Sequence, residues 1–196
     1  MNRYGKQLAW TVILAVAAAL AQTGAIAPAL LARANGGDAA SQVLAGDGYA
    51  ASGGVERSSQ QLAEDYQQAA AWYRKAAEQG NVVGQMRLAA LYRDGKGVAR
   101  DMAEAAVWYR KAAEQNDVTA QATIGLLYSI GQGVPHSDVE AYYWLDLAAS
   151  VKGPKQKQYA ANLQIIGTHI TADELAEVEE RVANWLAAHP RPAAVK

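Results

Sequence analysis

The sequence has 196 residues, and it contains no cysteine and no phenylalanine. Without cysteine the folded chain holds no disulfide. Without phenylalanine a hydrophobic core must be built from alanine, leucine, tryptophan and tyrosine, a set of residues that suits closely packed helices. The formal net charge is only −1. The chain therefore has no overall basic field of the kind that attracts nucleic acid, and we expect no nucleic-acid partner.

Sequence patterns of catalytic sites are missing as well. No nucleophile elbow is present. The Gly-Lys-Gly-Val segment at 95–98 does not read as a phosphate-binding loop, because its counterpart at 131–134 has no lysine. His136, His169 and His189 fall in turns or at a helix end, and we interpret them as exposed loop residues. We therefore predict a protein that is not an enzyme, with no catalytic residue, no metal site and no cofactor.

A segment rich in aromatic residues and alanine recurs along the chain. Trp72, Trp108 and Trp144 are separated by 36 residues in both intervals. The alanines that follow them keep the same spacing: Ala76, Ala77, Ala112, Ala113, Ala148 and Ala149. A constant period between about 20 and 50 residues is typical of folds built by stacking one supersecondary unit. The period therefore indicates a repeat architecture.

A second recurring unit lies between the aromatic segments. Residues 85–98 and 121–134 share their apolar spacing and end in the same Gly-x-Gly-Val turn. Glycine reaches left-handed backbone angles at little cost, so each turn can end a helix. The second helix of each pair then begins at a capping residue, Asp101 in one repeat and Ser137 in the next. Each repeat is predicted to be two short helices joined by this turn.

The aromatic residues of the second helices are predicted to form the core. Trp108 and Tyr109 fall on one side of a helix with Ala105 and Ala112, at helical spacing. Small alanines let two helices approach closely, and the rings fill the space between neighbouring pairs. If Trp108 is buried, its replacement by alanine should cost about 3–5 kcal/mol of stability.

This arrangement resembles the Sel-one-like repeat family, which is related to the tetratricopeptide repeats. The resemblance covers about residues 63–153. In the earlier copy the matching residues are Leu88, Tyr92, Gly95, Gly97, Val98, Asp101, Ala105, Trp108, Tyr109, Ala112 and Ala113. In the later copy they are Ala120, Ile124, Gly125, Tyr128, Gly131, Gly133, Val134, Ala141, Trp144, Ala148 and Ala149. The resemblance implies an all-α fold, a short right-handed α/α solenoid with a C-terminal capping helix.

The N-terminal segment predicts export from the cytoplasm. Residues 1–34 begin with two basic residues and continue with an uncharged run from 8 to 32, the pattern of a secretory signal peptide. Small residues allow cleavage after Ala34 or after Ala21. The run is also long enough to span a bilayer, so an uncleaved anchor over 8–32 stays open as the alternative. In both cases the repeats would lie outside the cytoplasm, in the periplasm or beyond, and only an uncleaved segment would contact the membrane.

Composition divides the rest of the chain into four parts. Residues 35–60 are rich in glycine, serine and alanine and predict a flexible linker, although a degenerate first repeat helix within 44–60 stays open. Residues 61–153 form the repeat array. Residues 154–189 form capping helices, the last of which begins at a capping box of Thr171 and Glu174. Residues 190–196 are a short tail.

The family resemblance implies a function in protein recognition. In a curved array the first helices line the concave side, and their outward positions are candidates for a partner site. These candidates are Met86, Ala90, Arg93, Ala122, Leu126 and Ser129. Exposed Met and Leu beside Arg are typical of protein-binding grooves. Neighbouring helices could instead cover these residues, or the residues could support self-association.

We therefore predict a non-catalytic adaptor or scaffold in a bacterial-type cell envelope that binds a protein or peptide. The alternative is a cell-wall or polysaccharide-associated regulator of an envelope enzyme. That function would need exposed aromatic rings, for which Tyr143 and Tyr159 are the candidates.

Overall fold

The computed structural model describes residues 26–51 and 58–190. In these residues the regular secondary structure consists of nine α-helices and no strand, as the all-α prediction requires. The helices are α1 (Pro28–Asn35), α2 (Ala39–Ala50), α3 (Ser59–Glu78), α4 (Val82–Asp94), α5 (Met102–Glu114), α6 (Val118–Ile130), α7 (Asp138–Ala149), α8 (Gln156–Gly167) and α9 (Ala172–Ala188). None of the helices in these parts of the chain is long and apolar enough to span a bilayer.

The predicted capping residues begin their helices as expected. The Asp101 side chain accepts hydrogen bonds from the backbone N–H groups of Ala103 and Glu104, at 2.9 and 3.0 Å. The Ser137 hydroxyl accepts from the Glu140 N–H at 3.2 Å. Each cap satisfies donors that the first helical turn leaves without a partner. Asp101 and Ser137 thus set where α5 and α7 begin.

The prediction of a flexible linker over 35–60 is wrong for the part that forms α2. Asp38 caps this helix by accepting from the Ser41 N–H at 3.0 Å. The ring of Tyr73 fills the space that a Cβ on Gly46 would occupy, and its hydroxyl donates to Asp47 at 2.8 Å. The small residues that suggest a linker in the sequence instead form a helix face that packs beneath the Tyr73 ring. Residues 52–57 of the predicted linker lie outside the described residues, as do 1–25 of the predicted signal and 191–196 of the tail.

The chain divides into two compact units. The first holds the described residues up to Gly84 together with 95–99, and the second holds 85–94 and the described residues from Arg100 onward. In the first unit Ala34 of α1, Ala45 of α2 and Trp72 of α3 form a buried cluster, with Leu31 and Tyr49 packed against it. Helix α1 is therefore an integral part of this unit.

In the second unit, helices α6 and α7 pack closely because one of them carries a glycine at the contact. A Cβ on Gly125 would lie 2.9 Å from the Leu145 side chain and 3.1 Å from the Ala141 carbonyl oxygen. Fully buried aliphatic side chains fill the interior of this unit: Leu88, Ile124, Leu145 and Leu147. Small residues at contacts and branched aliphatic residues between them give the dense packing that protein cores require.

The second glycine of each repeat turn also allows a close backbone approach. Gly133 has a φ of 74°, and a Cβ there would overlap the Met102 carbonyl group. One period earlier, Gly97 has a φ of 68°, and a Cβ there would overlap the backbone of Tyr66. Both positions need glycine for two reasons, the left-handed conformation and the lack of space. The left-handed turns that the sequence predicted are confirmed.

Buried glutamines satisfy backbone groups where helices meet. Gln42 donates to the Ala34 carbonyl at 3.1 Å, and Gln121 donates to the Ala113 carbonyl at 3.2 Å. Both bonds span eight residues, from a first helix to the end of the preceding helix. Gln121 has no exposed surface, so its amide would be costly without this partner. The sequence analysis did not identify this recurring polar contact.

The C-terminal helix α9 packs against α7 through both apolar and charged contacts. Trp185 meets Trp144 edge to face with ring centroids 6.1 Å apart. Arg181 donates to Glu140 at 2.9 Å and lies 4.4 Å from the centroid of the Tyr143 ring. The capping box predicted for this helix is present: the Thr171 N–H donates to Glu174 at 2.8 Å, and the Glu174 N–H donates to the Thr171 hydroxyl at 3.3 Å.

The end of α9 is fixed to the turn that joins α5 and α6. The Trp185 indole N–H donates to the Asn116 side chain at 3.3 Å, and the Asn116 amide donates to the His189 carbonyl at 3.3 Å. The His189 ring stacks on Trp185 with centroids 4.0 Å apart. The C-terminal end of α9 thus makes specific polar contacts with the preceding repeat, as expected of the predicted capping helix.

The core prediction holds for Trp144 and Trp72 and only in part for Trp108. Trp144 is 5% exposed and Trp72 is 8% exposed, but Trp108 is half-buried. The Lys111 ammonium lies 4.1 Å from the centroid of the Trp108 ring. The Lys75 ammonium lies at the same distance from the Trp72 ring, so the two tryptophans differ in burial and not in this cation–π contact.

The environment of Asp146 disfavours the charged form of its carboxyl group. It lies on α7, where burial raises its pKa, and Glu179 of α9 raises the pKa further by like-charge repulsion. The folded chain therefore holds a proton at Asp146 more tightly than the unfolded chain does. Ionised Asp146 lowers stability at neutral pH; this loss shrinks as the pH falls through the folded pKa and is gone below the unfolded pKa.

We expect Trp144→Ala to lower the free energy of unfolding by about 3–5 kcal/mol, because it leaves a large cavity between α7 and α9. Trp108→Ala, at the same position of the preceding repeat, should cost clearly less. Urea denaturation followed by circular dichroism measures both variants. Equal losses for the two would contradict the difference in burial.

Asp146→Asn should raise the urea midpoint at pH 7, because the neutral amide removes the desolvation and repulsion of the carboxylate. The gain over the unmodified protein should shrink as the pH is lowered towards about 3, where the carboxyl group is largely neutral in both states. Glu177→Gln, an exposed position on α9, is the control. A gain in urea midpoint that is independent of pH would show that the charge of Asp146 is not its cause.

Candidate protein-binding cleft

The predicted binding positions lie on α4 and α6 and differ in accessibility. Arg93 and Leu126 are exposed, and Met86, Ala90 and Ser129 are half-buried. Ala122 is buried, so this candidate is wrong: its methyl group lies in the core and cannot contact a partner. The remaining positions separate into two groups with different surroundings.

Arg93 is engaged within its own unit. Its guanidinium donates to Asp94 at 2.7 Å and to the Tyr109 hydroxyl at 3.3 Å, and its backbone carbonyl accepts from Arg100 at 3.1 Å. The hydrogen bond to Asp94 raises the pKa of Arg93 above its ordinary value, and burial raises the pKa of Tyr109. Arg93 thus ties the end of α4 to α5.

Leu126 and Ser129 line an open cleft of about 230 Å³ in the second unit. The opposite wall comes from α8, which supplies Asn162, Ile165 and Ile166. Leu126 is 40% exposed and Ile165 is 62% exposed. Large aliphatic side chains that stay this accessible are the feature that marks interaction surfaces when they lie together.

The polar end of the cleft is formed by Asp138 between two histidines. The carboxylate oxygens of Asp138 lie 3.5 Å from His136 Nε2 and 3.6 Å from His169 Nδ1. Both distances exceed those of ordinary hydrogen bonds. No lysine or arginine is among the residues that line this cleft.

The side chains of the cleft do not form a catalytic arrangement. The Ser129 hydroxyl donates to the Leu126 carbonyl at 2.9 Å, so its hydrogen is directed at the helix backbone. Across the described parts of the chain, no group of three histidine or acidic side chains is placed to hold a metal ion. What the arrangement can do is bind: an apolar wall and a carboxylate face the same space.

The sequence analysis missed the α8 wall, although the repeat period could have identified it. Ala90 and Leu126 are 36 residues apart, and the next step of the same period reaches Asn162. The equivalent series from Arg93 passes through Ser129 and ends at Ile165. Helix α8 therefore supplies the same outward positions as the first helices of the repeats, without the aromatic pattern that made the earlier repeats visible.

A second cleft of about 330 Å³ lies between α5 and the turn after α6. Val107 is its most accessible apolar residue. Its two cations are held over aromatic rings: Lys111 over Trp108 at 4.1 Å and Arg110 over Tyr128 at 5.4 Å. These contacts stabilise the repeat, and the acidic residue of this cleft is Glu114, which is exposed.

The aromatic residues suggested for sugar stacking are not available. Tyr143 and Tyr159 are each only 7% exposed, and burial raises the pKa of both hydroxyl groups. Tyr143 is covered by Arg181 of α9. Neither ring can stack on a glycan, so both residues are removed from the list of candidate sugar contacts.

Comparison with known proteins identifies the repeats and gives their limits. A family model described as Sel1 repeat matches residues 40–81, 82–117 and 118–150. The first match covers α2 and α3, so the array begins before residue 61, the predicted start. A search of the curated proteins gave no significant match.

Two crystal structures are similar to this chain. A Sel1 repeat protein from Oxalobacter formigenes is 36% identical over 66% of this chain and 49% of its own length, with a TM-score of 0.56. The protein c5321, described as a protective antigen present in uropathogenic Escherichia coli strains and displaying an SLR fold, is 25% identical. That match covers 83% of this chain and 43% of c5321, also with a TM-score of 0.56. The chain thus spans less than half the length of either structure.

Proposed function

We propose that this chain, which belongs to the Sel1 repeat family, is a non-catalytic adaptor of the bacterial-type cell envelope that binds a protein or peptide through the cleft between α6 and α8. Sel1 repeats are generally protein–protein interaction modules. In this cleft the outward-facing positions of α6 and α8 lie opposite each other. Together they form one recognition surface.

The observation that carries this proposal is the exposure of Leu126 and Ile165 at one cleft. Both occupy positions that the repeat period predicts for partner contact, and both keep a large part of their apolar surface in water. Covering such a surface with a partner is favourable by about 25 cal/mol for each Å² buried. The array thus presents an unsatisfied apolar surface on a rigid helical support.

We further propose export, with cleavage after Ala21 rather than after Ala34. The packing of α1 supports the earlier site. Ala34 is buried beside Trp72, its carbonyl accepts from Gln42, and the Ile26 side chain lies where a Cβ on Gly48 would reach. Cleavage after Ala34 would remove a helix that covers the core of the first unit.

A photocrosslinking amino acid at Leu126 should give a discrete adduct in the native cell, because this side chain points into the cleft that we assign to the partner. The same amino acid at Glu104, exposed in the first turn of α5, is the control and should not give that adduct. Mass spectrometry of the adduct identifies the partner. No adduct at Leu126, or the same adducts at both positions, would refute the adaptor proposal.

If the chain is exported as proposed, the mature protein should begin at Gln22, which intact-mass measurement and N-terminal sequencing determine. Ala19→Leu should block processing, because a large residue two positions before the cleaved one disrupts the small-x-small rule. Ala32→Leu alters the equivalent position of the later site and should leave processing unchanged. A mature chain beginning at Asn35 would contradict the early site, and a retained Met1 would support the anchor.

A further inference from the structure

We propose that the cleft between α6 and α8 binds a peptide segment in which a large aliphatic residue stands next to a lysine or arginine. This inference rests on the proposed function, since it assigns the chemistry of the partner at the same cleft. The aliphatic side chain lies against Leu126 and Ile165, and the cation pairs with Asp138.

The size and the walls of the cleft favour a side chain over a small-molecule ligand. A volume of about 230 Å³ is below the range of about 300–1,000 Å³ that is typical of pockets for drug-sized ligands and cofactors. The apolar wall is open to solvent, with Leu126 and Ile165 exposed and Ile166 buried behind them. One inserted aliphatic side chain would cover this wall. Asn162, at the rim, has an amide that can donate to and accept from the peptide backbone.

The polar end of the cleft decides the charge of the partner. Asp138 is the only acidic side chain among the residues that line it, and lysine and arginine do not occur among them. Its contacts to His136 and His169, at 3.5 and 3.6 Å, are too long to be ordinary hydrogen bonds. With neutral histidines the cleft is therefore negative, and an incoming ammonium or guanidinium group can form a charge-assisted hydrogen bond there.

An anionic partner is disfavoured by the same arrangement. A carboxylate next to the aliphatic anchor would lie near Asp138, and the cleft offers no lysine or arginine to compensate it. Like charges brought together in a partly desolvated site repel strongly. The aliphatic anchor alone would fit many peptides, so Asp138 is the specificity-determining residue of this cleft.

The test uses the complete purified chain labelled with ¹⁵N, at pH 8, where histidine is ordinarily neutral. Three N-acetylated, C-amidated tetrapeptides serve as probes, with the sequences Gly-Leu-Lys-Gly, Gly-Leu-Glu-Gly and Gly-Ala-Lys-Gly. The Leu-Lys peptide should shift amide resonances around Leu126 and Ile165 in a saturable titration. The Leu-Glu and Ala-Lys peptides should each bind about tenfold more weakly, because each lacks one of the two contacts.

Variants separate the two contacts. Asp138→Asn should abolish the preference for Leu-Lys over Leu-Glu. Ile165→Ser, at a largely exposed position that tolerates a polar residue, should weaken the Leu-Lys peptide several-fold and leave the preference for lysine in place. Glu104→Gln, on α5, should change neither result. Dispersion of the amide spectrum confirms that each variant is folded. If Asp138→Asn does not fold, the comparison of Leu-Lys with Leu-Glu on the unmodified protein still decides the charged contact.

The proposal is overturned if Leu-Lys and Leu-Glu bind equally, if Asp138→Asn keeps the preference, or if no peptide shifts these resonances at millimolar concentration. It is also overturned if sedimentation shows a dimer whose dissociation is needed to expose Leu126, since a second copy would then be the occupant. In each of the peptide cases a crosslinked adduct between Leu126 and a different protein would still uphold the adaptor function, so the two proposals fail separately.

Discussion

Close approach between helices is the constraint on which the rest of this structure depends. Gly125 sits against Leu145 and the Ala141 carbonyl, and Gly133 sits against the backbone of Met102. At both places a single added methyl group would force the elements apart. Since a protein interior tolerates few voids and little overlap, these contacts fix the distance between successive helices. The aromatic rings then fill what space remains, as Tyr73 does over Gly46.

Such close contacts bring helix ends into the interior, where their backbone groups need partners. Gln42 and Gln121 donate hydrogen bonds to backbone carbonyl groups eight residues earlier. Asn116 donates to the backbone carbonyl of His189, where α9 ends. Because these carbonyl groups have partners inside each unit, the helices present a fixed surface. Leu126 and Ile165 are exposed on that fixed surface and line the cleft between α6 and α8.

The cleft lies at the end of the repeat array, where α8 keeps the repeat period but not the aromatic pattern of the repeats. Helix α8 continues the period of the first helices, but it carries Ile165 at the position where Arg93 and Ser129 stand in the preceding repeats. Arg93 turns back to Asp94 and Tyr109, and so contributes to the fold. Ile165 has no comparable partner on its exposed side and contributes an accessible apolar wall. The end of an array can thus differ in function from its centre while keeping the same helix geometry.

The sequence by itself determined the repeat period, the turns at Gly97 and Gly133, and the caps at Asp101, Ser137 and Thr171, because these depend on local backbone chemistry. Only the tertiary structure decided which residues each helix covers. It placed Ala122 in the core and left Trp108 half-buried. It also made a helix of 39–50, whose small residues pack beneath Tyr73. Asp138, His136 and His169 meet Ile165 only after α8 folds back beside α6, a contact between distant residues that no local pattern specifies.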